Sequence, residues 1–279
     1  MRILLIPLLL LSFIANARFI GSKKTVTSDK GKLYFYWGWN RAWYTRSDIH
    51  FKGENYNFKL NDMKGRDRQT PFGIDPYFTP SRISIPQTNM RLGYFITDKI
   101  DISIGVDHMK YVLVYNQPTK IDGYINDGSA YDGVYTNDNF INSYSFLKFE
   151  HTDGLNYIHA QITRNDDIFK ALKIKLNPNK LRLNSLIGFG IGGLLPKSNV
   201  NLWNNERHDD FHWAGYGFSG QIGADLIIFK HLFIRGEYKV GFIDMPDIRT
   251  SANPSDRASQ HFFFNEYTFC VGVCFNPFN

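Results

Sequence analysis

Cysteine is scarce in this chain, and beyond the N-terminus it has no long apolar run. The two cysteines, Cys270 and Cys274, lie four residues apart in an alternating segment. On a strand this spacing separates them by roughly 13 Å, which is beyond disulfide reach. The cysteines therefore exclude a disulfide framework, and the missing apolar runs exclude transmembrane helices downstream of the N-terminus.

Patterns for several other chemistries are also missing. The formal net charge is +6 without a basic run, so nucleic acid is not an expected partner. Neither a Gly-rich phosphate loop nor a G-x-S-x-G elbow occurs. Gly188, Gly190, Gly192 and Gly193 lie inside a strand-like segment, where they favour bending and tight packing. We expect no cofactor and no resident metal.

The N-terminus is typical of an export signal. Arg2 precedes an apolar run from Ile3 to Ile14, and Ala15-Asn16-Ala17 follows. This A-x-A ending predicts a cleaved signal peptide over residues 1–17, with cleavage after Ala17. The run is shorter than the roughly 20 residues that span a bilayer, which disfavours a membrane anchor. Residues 18–279 are then expected to form one domain.

Aromatic residues and glycine are abundant instead. The chain has 24 Phe, 16 Tyr, 5 Trp and 23 Gly, with a mean hydropathy of −0.31. This composition fits a membrane β-barrel, because only every second residue of each strand faces lipid. A secreted β-sandwich is the alternative at this level.

Strict alternation of apolar with small or polar residues recurs in eight segments, which predicts eight strands. In Leu232–Phe242, for example, Leu232, Ile234 and Val240 alternate with Phe233, Arg235 and Lys239. The eight segments are Lys32–Tyr44, Asn89–Ile96, Ile100–Asp107, Leu155–Arg164, Leu181–Leu195, Trp213–Phe229, Leu232–Phe242 and Phe263–Phe275.

The connections distinguish a barrel from a sandwich. Two joins are two or three residues long, whereas residues 45–88, 113–154, 196–212 and 244–260 form long ones. This asymmetry is typical of outer-membrane barrels. We predict an all-β fold, a single antiparallel transmembrane β-barrel of about eight strands with short periplasmic turns and long extracellular loops. Ten strands is the alternative, because residues 165–180 or Tyr56–Leu60 would have room for another hairpin.

The last strand ends in Phe275-Asn276-Pro277-Phe278-Asn279, which looks like the terminal signal of outer-membrane barrels, although Asn279 follows the aromatic residue. Together with the signal peptide and the strand pattern, it makes the chain resemble the small OmpA-like outer-membrane barrels of Gram-negative bacteria. Segments 36–40 and 259–264 are similar to uncharacterised barrels of Bacteroidetes-type bacteria. The resemblance implies residence in the outer membrane and recognition of the C-terminal strand by the barrel-assembly machinery.

Nine charged residues fall on the strand faces assigned to the interior. An eight-stranded barrel has an interior that side chains just fill, and buried charges must be paired. Four cations against five carboxylates therefore predict a closed, salt-bridged core rather than a pore. The nine residues are Arg91, Asp101, Asp107, Arg182, Asp225, Arg235, Glu237, Lys239 and Glu266.

Histidines and carboxylates gather near the extracellular ends of the strands. The candidate set is His151, Asp153, His208, Asp209, Asp210, His212 and His261. Three interpretations are open: solvated loop residues, a catalytic set in which a carboxylate orients a histidine base, or a metal site. Segment 151–156 faintly resembles the His-x-Ser part of the lipid A deacylase motif, but Asp153 replaces the serine and Thr152 is an unsupported substitute. Asp127, Asp132 and Asp138 would suit Ca²⁺ in a loop.

The expected function is therefore a structural or surface-binding outer-membrane barrel. Its expected partners are outer-membrane lipids, lipopolysaccharide and the assembly machinery. The alternatives are a lipid-modifying hydrolase of the lipid A deacylase or phospholipase class, with its site at the rim, and a small-solute channel.

Overall fold

The computed structural model describes residues 28–71, 73–79, 81–82, 86–203 and 210–277, with the backbone alone at residues 152 and 153. The proposed signal peptide lies outside these residues. The strands are β1 (Leu33–Tyr44), β2 (Ser47–Lys52), β3 (Tyr56–Met63), β4 (Gly65–Arg66), β5 (Thr88–Phe95), β6 (Ile100–Leu113), β7 (Gln117–Ile125), β8 (Gly133–Asn142), β9 (Leu147–Asp167), β10 (Leu181–Leu194), β11 (Asn199–Leu202), β12 (Gly215–Ile228), β13 (Leu232–Arg249) and β14 (Arg257–Phe275). Two short helices are α1 (Ile74–Tyr77) and α2 (Ile168–Ala171). In the described part of the chain, no helix has the length and apolar character needed to cross a membrane.

Eight of the strands close into a ring. Their order is β1-β5-β6-β9-β10-β12-β13-β14, and β14 pairs back onto β1. The closing ladder is antiparallel and runs from Leu33 opposite Phe275 to Tyr44 opposite Phe264. Closure leaves no unpaired edge in the ring. The predicted antiparallel β-barrel is confirmed, and its ring is formed by eight of the described strands.

Side chains of the ring strands alternate between a lipid-like exterior and a polar interior. On β1, Phe35 and Trp43 are exposed, whereas Tyr34 and Tyr36 are buried. The outward set on β1, from residue 33 to residue 43, has the 9–11 residue length that a tilted transmembrane strand requires. Outward-facing apolar residues recur on the other ring strands and form a continuous belt, and these include Met90, Ile104, Ile162, Phe189, Ile222, Val240 and Phe269.

The long joins, which we predicted to be loops, are largely folded. Strand β2 pairs with β14, and β3, β7 and β8 extend this sheet in order, while β4 pairs with β6 and β11 pairs with β9. We call these six strands, with the adjoining ends of β6, β9, β13 and β14, the cap. Apolar residues such as Ile49, Phe51 and Phe58 drive its folding because they are almost completely buried. Strand Tyr56–Met63 thus belongs to the cap, and the ring has eight strands rather than ten.

The opposite end of the ring, which we call the turn end, has shorter connections. Residues 96–99 join β5 to β6, and residues 229–231 join β12 to β13. The join from 165 to 180 contains no hairpin. Instead β9 continues to Asp167, whose side chain accepts a hydrogen bond from the backbone N–H of Lys170 and caps α2.

Candidate functional site

The interior of the ring is filled by charged and polar side chains. All nine residues assigned to the interior are at most 9% exposed. They form two clusters at mid-height and two smaller groups toward the turn end. Asp225 and Arg235, and Lys239 and Glu266, stand opposite each other on adjacent strands, where inward-facing side chains meet. Other partners reach across the interior, as Lys239 of β13 does to Asp107 of β6.

Asp107 is the centre of the first cluster. Its carboxylate accepts from Lys239 Nζ and lies 2.9 Å from Nε2 of His159 and 3.6 Å from Nη2 of Arg91. Lys239 Nζ also lies 3.5 Å from Glu266. Side chains from β5, β9 and β13 thus surround one carboxylate of β6, and Arg91 Nη2 also lies 2.7 Å from Nε2 of His159.

Asn89 connects this cluster to its second carboxylate. Its amide donates to Asp107 at 2.7 Å and to Glu266 at 2.9 Å. A single neutral side chain therefore donates to two buried carboxylates, which lowers the cost of enclosing them.

Arg235 is the centre of the second cluster. It donates two hydrogen bonds to Asp225, at 2.6 and 2.7 Å, and lies 3.4 Å from Glu237. Its guanidinium stands 5.0 Å from the ring centroid of Tyr36. Bidentate geometry of this kind is the strongest pairing available to an arginine and a carboxylate.

The remaining interior charges are also partnered. Asp101 accepts from the hydroxyl of Tyr34 and from the amide of Asn165, both at 2.7 Å. Arg182 contacts Asp29 at 2.6 Å. His159 was not among the predicted interior charges, although it shares the inward parity of Gln161 and Thr163, which was the signal that identified the others.

Apolar layers close the charged region at both ends. At the cap end, side chains of six ring strands and of Ala214, just before β12, pack together at no more than 3% exposure. The strand residues include Ala42, Tyr111, Tyr157, Leu194, Met245 and Phe264. The ring of Tyr157 stacks on His159 with centroids 4.2 Å apart, so this layer lies directly on the first cluster. At the turn end, Tyr34, Phe95 and Phe233 form a second layer.

Cys270 and Cys274 are buried in the second layer as free thiols, in agreement with the predicted absence of a disulfide. Glycine also permits close strand packing elsewhere in the wall, on β10. A Cβ on Gly192 would stand 2.0 Å from the carbonyl oxygen of Ile158, so only glycine fits there.

The rim residues do not converge into one site in the described part of the chain. His151 is completely buried inside the cap, hydrogen-bonded to Ser198 Oγ at 2.8 Å. Burial lowers the pKa of His151 to about 3, so the imidazole is neutral at ordinary pH. This His–Ser pair is enclosed by apolar side chains, including Phe149, whose ring centroid lies 5.1 Å from that of His151.

His212 and Asp247 do meet. Nε2 of His212 donates to Asp247 at 2.9 Å, and Arg257 donates to the other oxygen at 2.7 Å. Burial acts to raise the pKa of Asp247, but the hydrogen bond from His212 and the charge of Arg257 outweigh it, so the pKa lies below its usual value. Asp247 therefore serves as a counter-ion.

The other rim residues are scattered or undescribed. His261 is exposed on the outer face of β14, where its Cα pairs with that of Asp244. Asp210 is exposed. His208 and Asp209 lie outside the described residues, as does the side chain of Asp153. The described residues contain no group of three or more His, Cys, Asp or Glu side chains arranged to hold a metal ion. Asp127 and Asp132 instead accept local backbone N–H groups in their loop.

No family model and no curated protein matches this chain. Among solved structures, it is similar to Neisserial surface protein A, with 12% identity, a TM-score of 0.38 and coverage of 88% of this chain and 99% of that one. It is also similar to the outer-membrane protein OprG from Pseudomonas aeruginosa, with 9% identity, a TM-score of 0.37 and coverage of 89% and 98%. A third is Ail, the attachment invasion locus protein of Yersinia pestis, with 8% identity, a TM-score of 0.30 and coverage of 88% and 99%.

Because these TM-scores are all below 0.5, the fold assignment depends on the molecule's own features. They are the closed antiparallel ring, the apolar exterior and the paired charges inside. The architecture is that of a small outer-membrane β-barrel.

Proposed function

We propose that this chain is an outer-membrane β-barrel that conducts no solutes and displays its cap at the cell surface in a structural or surface-binding role. The observation that carries the proposal is the layered interior. Paired charges fill the middle of the ring, and apolar layers lie above and below them. A hydrated path through this interior would have to break buried salt bridges and separate packed aromatic rings.

Orientation follows from the asymmetry of the connections. Outer-membrane barrels have short periplasmic turns and longer extracellular connections, which corresponds to the turn end and the cap. In this proposal the export signal delivers the chain, and the assembly machinery recognises its C-terminal strand. Outer-membrane lipids and lipopolysaccharide then surround the belt.

The cap favours contact with partners. Its outermost strand, β8, pairs only with β7 within the described sheet. Val134 and Ile141 on this strand are 82% and 64% exposed. Exposed apolar side chains on a rigid, polar-rimmed sheet are typical of interaction surfaces.

A hydrolase is less well supported than a binding role. The buried His151–Ser198 pair has no access to a lipid headgroup, and His212 donates to a carboxylate that Arg257 already occupies. We expect purified protein to release no acyl chains from lipopolysaccharide or phospholipid by mass spectrometry. Release that disappears in His151→Ala or His212→Ala would establish the hydrolase instead.

Cysteine labelling on intact cells tests the orientation. In a Cys270→Ala/Cys274→Ala background, Val134→Cys on the cap should react with a membrane-impermeant maleimide on whole cells. Lys173→Cys, near the turn end, is the matched control and should react only after lysis. The reverse pattern would place the cap in the periplasm and contradict surface display.

Planar-bilayer recording tests the sealed interior. The purified, folded chain should produce no stable conductance steps. Reproducible steps from the monomer would support the small-solute channel.

A further inference from the structure

The positive charge of the molecule is concentrated at the turn end. Ten cations lie there against four carboxylates, Asp29, Asp98, Asp166 and Asp167. The cations are Lys30, Lys32, Lys99, Arg164, Lys170, Lys173, Lys175, Lys180, Arg182 and Lys230. This end therefore carries six more positive than negative charges.

The four carboxylates already have partners, so they do not neutralise the remaining lysines. Asp29 contacts Lys32 and Arg182 at 2.7 and 2.6 Å. Asp166 contacts Lys99 and Arg164, both at 2.6 Å.

Asp98 and Asp167 accept hydrogen bonds from Ser28 Oγ and a backbone N–H, respectively. Within the described residues, six lysines at this end form no salt bridge, and they are Lys30, Lys170, Lys173, Lys175, Lys180 and Lys230.

Exposed apolar side chains alternate with these lysines. Leu172 and Ile174 are 66% and 43% exposed between Lys170 and Lys175, and Phe229 is 65% exposed beside Lys230. The backbone N–H of Phe229 donates to the carbonyl of Lys180 at 3.0 Å, which joins the two segments into one surface. We call residues 168–180 with 229–231 the basic rim.

The β12–β13 turn contains backbone strain that supports a role for its side chains. Phe229 and Lys230 have φ angles of 50° and 65°, a region that favours glycine and asparagine. Phe and Lys thus occupy turn positions at which Asn-Gly would cause less backbone strain. Strain of this kind points to a function for the side chains that remain there.

The cap does not share this excess of positive charge, because its lysines and arginines are matched by carboxylates on the same strands and loops. Arg46 contacts Asp62 at 3.0 Å, and Lys59 contacts Asp48 at 3.3 Å. The charge asymmetry is therefore specific to the turn end and does not reflect a generally basic surface.

We propose that the basic rim binds anionic phospholipids of the leaflet that borders the turn end. The lysine ammonium groups contact the headgroup phosphates, while Leu172, Ile174 and Phe229 contact the acyl chains near the interface. Lysine side chains extend from apolar surfaces toward headgroups in this way, and basic-apolar segments bind anionic interfaces through both forces. The rim continues the lipid-facing belt, since it begins four residues after the outward-facing Arg164 of β9.

Native mass spectrometry of the full chain in detergent tests this proposal with phosphatidylglycerol and phosphatidylcholine as probes. The wild type should retain phosphatidylglycerol preferentially. Lys170→Gln/Lys173→Gln/Lys175→Gln should bind it on the order of tenfold more weakly, without a change in phosphatidylcholine binding. Leu172→Ser/Ile174→Ser should weaken the binding of both lipids.

A triple variant on the cap, Lys52→Gln/Lys59→Gln/Lys120→Gln, removes the same number of positive charges. It should leave the preference for phosphatidylglycerol unchanged. Each variant is first checked for folding by heat-modifiable gel migration. Excess glycerol phosphate should not displace the lipid, because it lacks acyl chains; displacement would show a phosphate site instead of a lipid site. The proposal would be overturned if the basic-rim lysine variant kept its preference for phosphatidylglycerol, or if the cap variant lost that preference equally.

Discussion

Replacing Arg235 with methionine tests whether the interior charges stabilise the barrel only as pairs. Arg235→Met leaves Asp225 without its bidentate partner, and Glu237 keeps only the hydroxyl of Tyr36 at 3.3 Å. Breaking a buried ion pair costs about 3–5 kcal/mol, mainly because the remaining charge is enclosed and unpaired. We expect the free energy of unfolding to fall by about that amount.

Removing both partners should restore most of the loss. In Arg235→Met/Asp225→Leu the unpaired carboxylate of Asp225 is gone and only Glu237 remains, with its hydrogen bond from Tyr36. Apolar replacements of buried pairs are often neutral or stabilising. We therefore expect the double variant to be more stable than Arg235→Met by several kcal/mol, roughly the cost of the unpaired carboxylate.

An exposed pair provides the matched control. Arg164 contacts Asp166 at 2.6 Å, but their side chains are 59% and 37% exposed. Arg164→Met should lower the free energy of unfolding far less than Arg235→Met does, because solvent screens the exposed pair. The assay is guanidinium-induced unfolding in phospholipid vesicles, followed by tryptophan fluorescence. If Arg235→Met is no more destabilising than Arg164→Met, the interior is hydrated and the sealed-barrel account is refuted.

Three further predictions use the same assay. Ile222→Arg, at mid-belt on β12, should destabilise by about 2–4 kcal/mol because it faces lipid, whereas Val134→Arg on the cap should change stability by less than about 0.5 kcal/mol; equal effects would contradict the belt. His151 has a folded-state pKa of about 3 against an ordinary 6.5, so the unfolded chain binds the extra proton. Its contribution is therefore fully present above pH 6.5 and is lost as the pH falls toward 3, amounting to about 2 kcal/mol between pH 8 and pH 5. His151→Asn should remove that part of the pH dependence, and identical pH profiles would disprove the assignment. Phe229→Asn/Lys230→Gly should stabilise the barrel by about 1–2 kcal/mol by relieving the left-handed turn, and a loss of stability would mean that the side chains hold the turn.

Alternation predicted the ring because membrane strands have two chemically opposite faces. A residue such as Arg235 could be assigned inward simply because its neighbours Ile234 and Gly236 fall on the other face. Its partner could not be assigned, because pairing with Asp225 depends on the register of β12 against β13. Side-chain parity therefore predicts a face, whereas register determines the contact.

The sequence predicted loops where the cap strands lie, because these strands are short and carry charged residues between few apolar ones. Ser47–Lys52 has only Ile49 and Phe51 as its buried apolar pair. Such segments become strands through tertiary pairing rather than through local propensity.

Parity also explains why the rim histidines separate. His261 shares the parity of Phe263 and Phe269 and therefore faces outward, whereas His151 points into the cap. Both histidines lie near the same end of the barrel, because each lies near the end of a ring-strand segment. Their side chains face different directions, so they do not form one site.

Depth-dependent quenching by brominated lipids tests directly whether the exposed apolar belt spans the membrane. A fluorophore is attached to single cysteines at Val240 in the belt, Lys173 in the basic rim and Val134 in the cap, each in the Cys270→Ala/Cys274→Ala background. We expect strong quenching at 240, weak quenching at 173 by headgroup-proximal bromines, and none at 134, although Val134 is more exposed than Val240. Strong quenching at 134, or none at 240, would show that the exposed apolar ring is not the membrane-spanning surface.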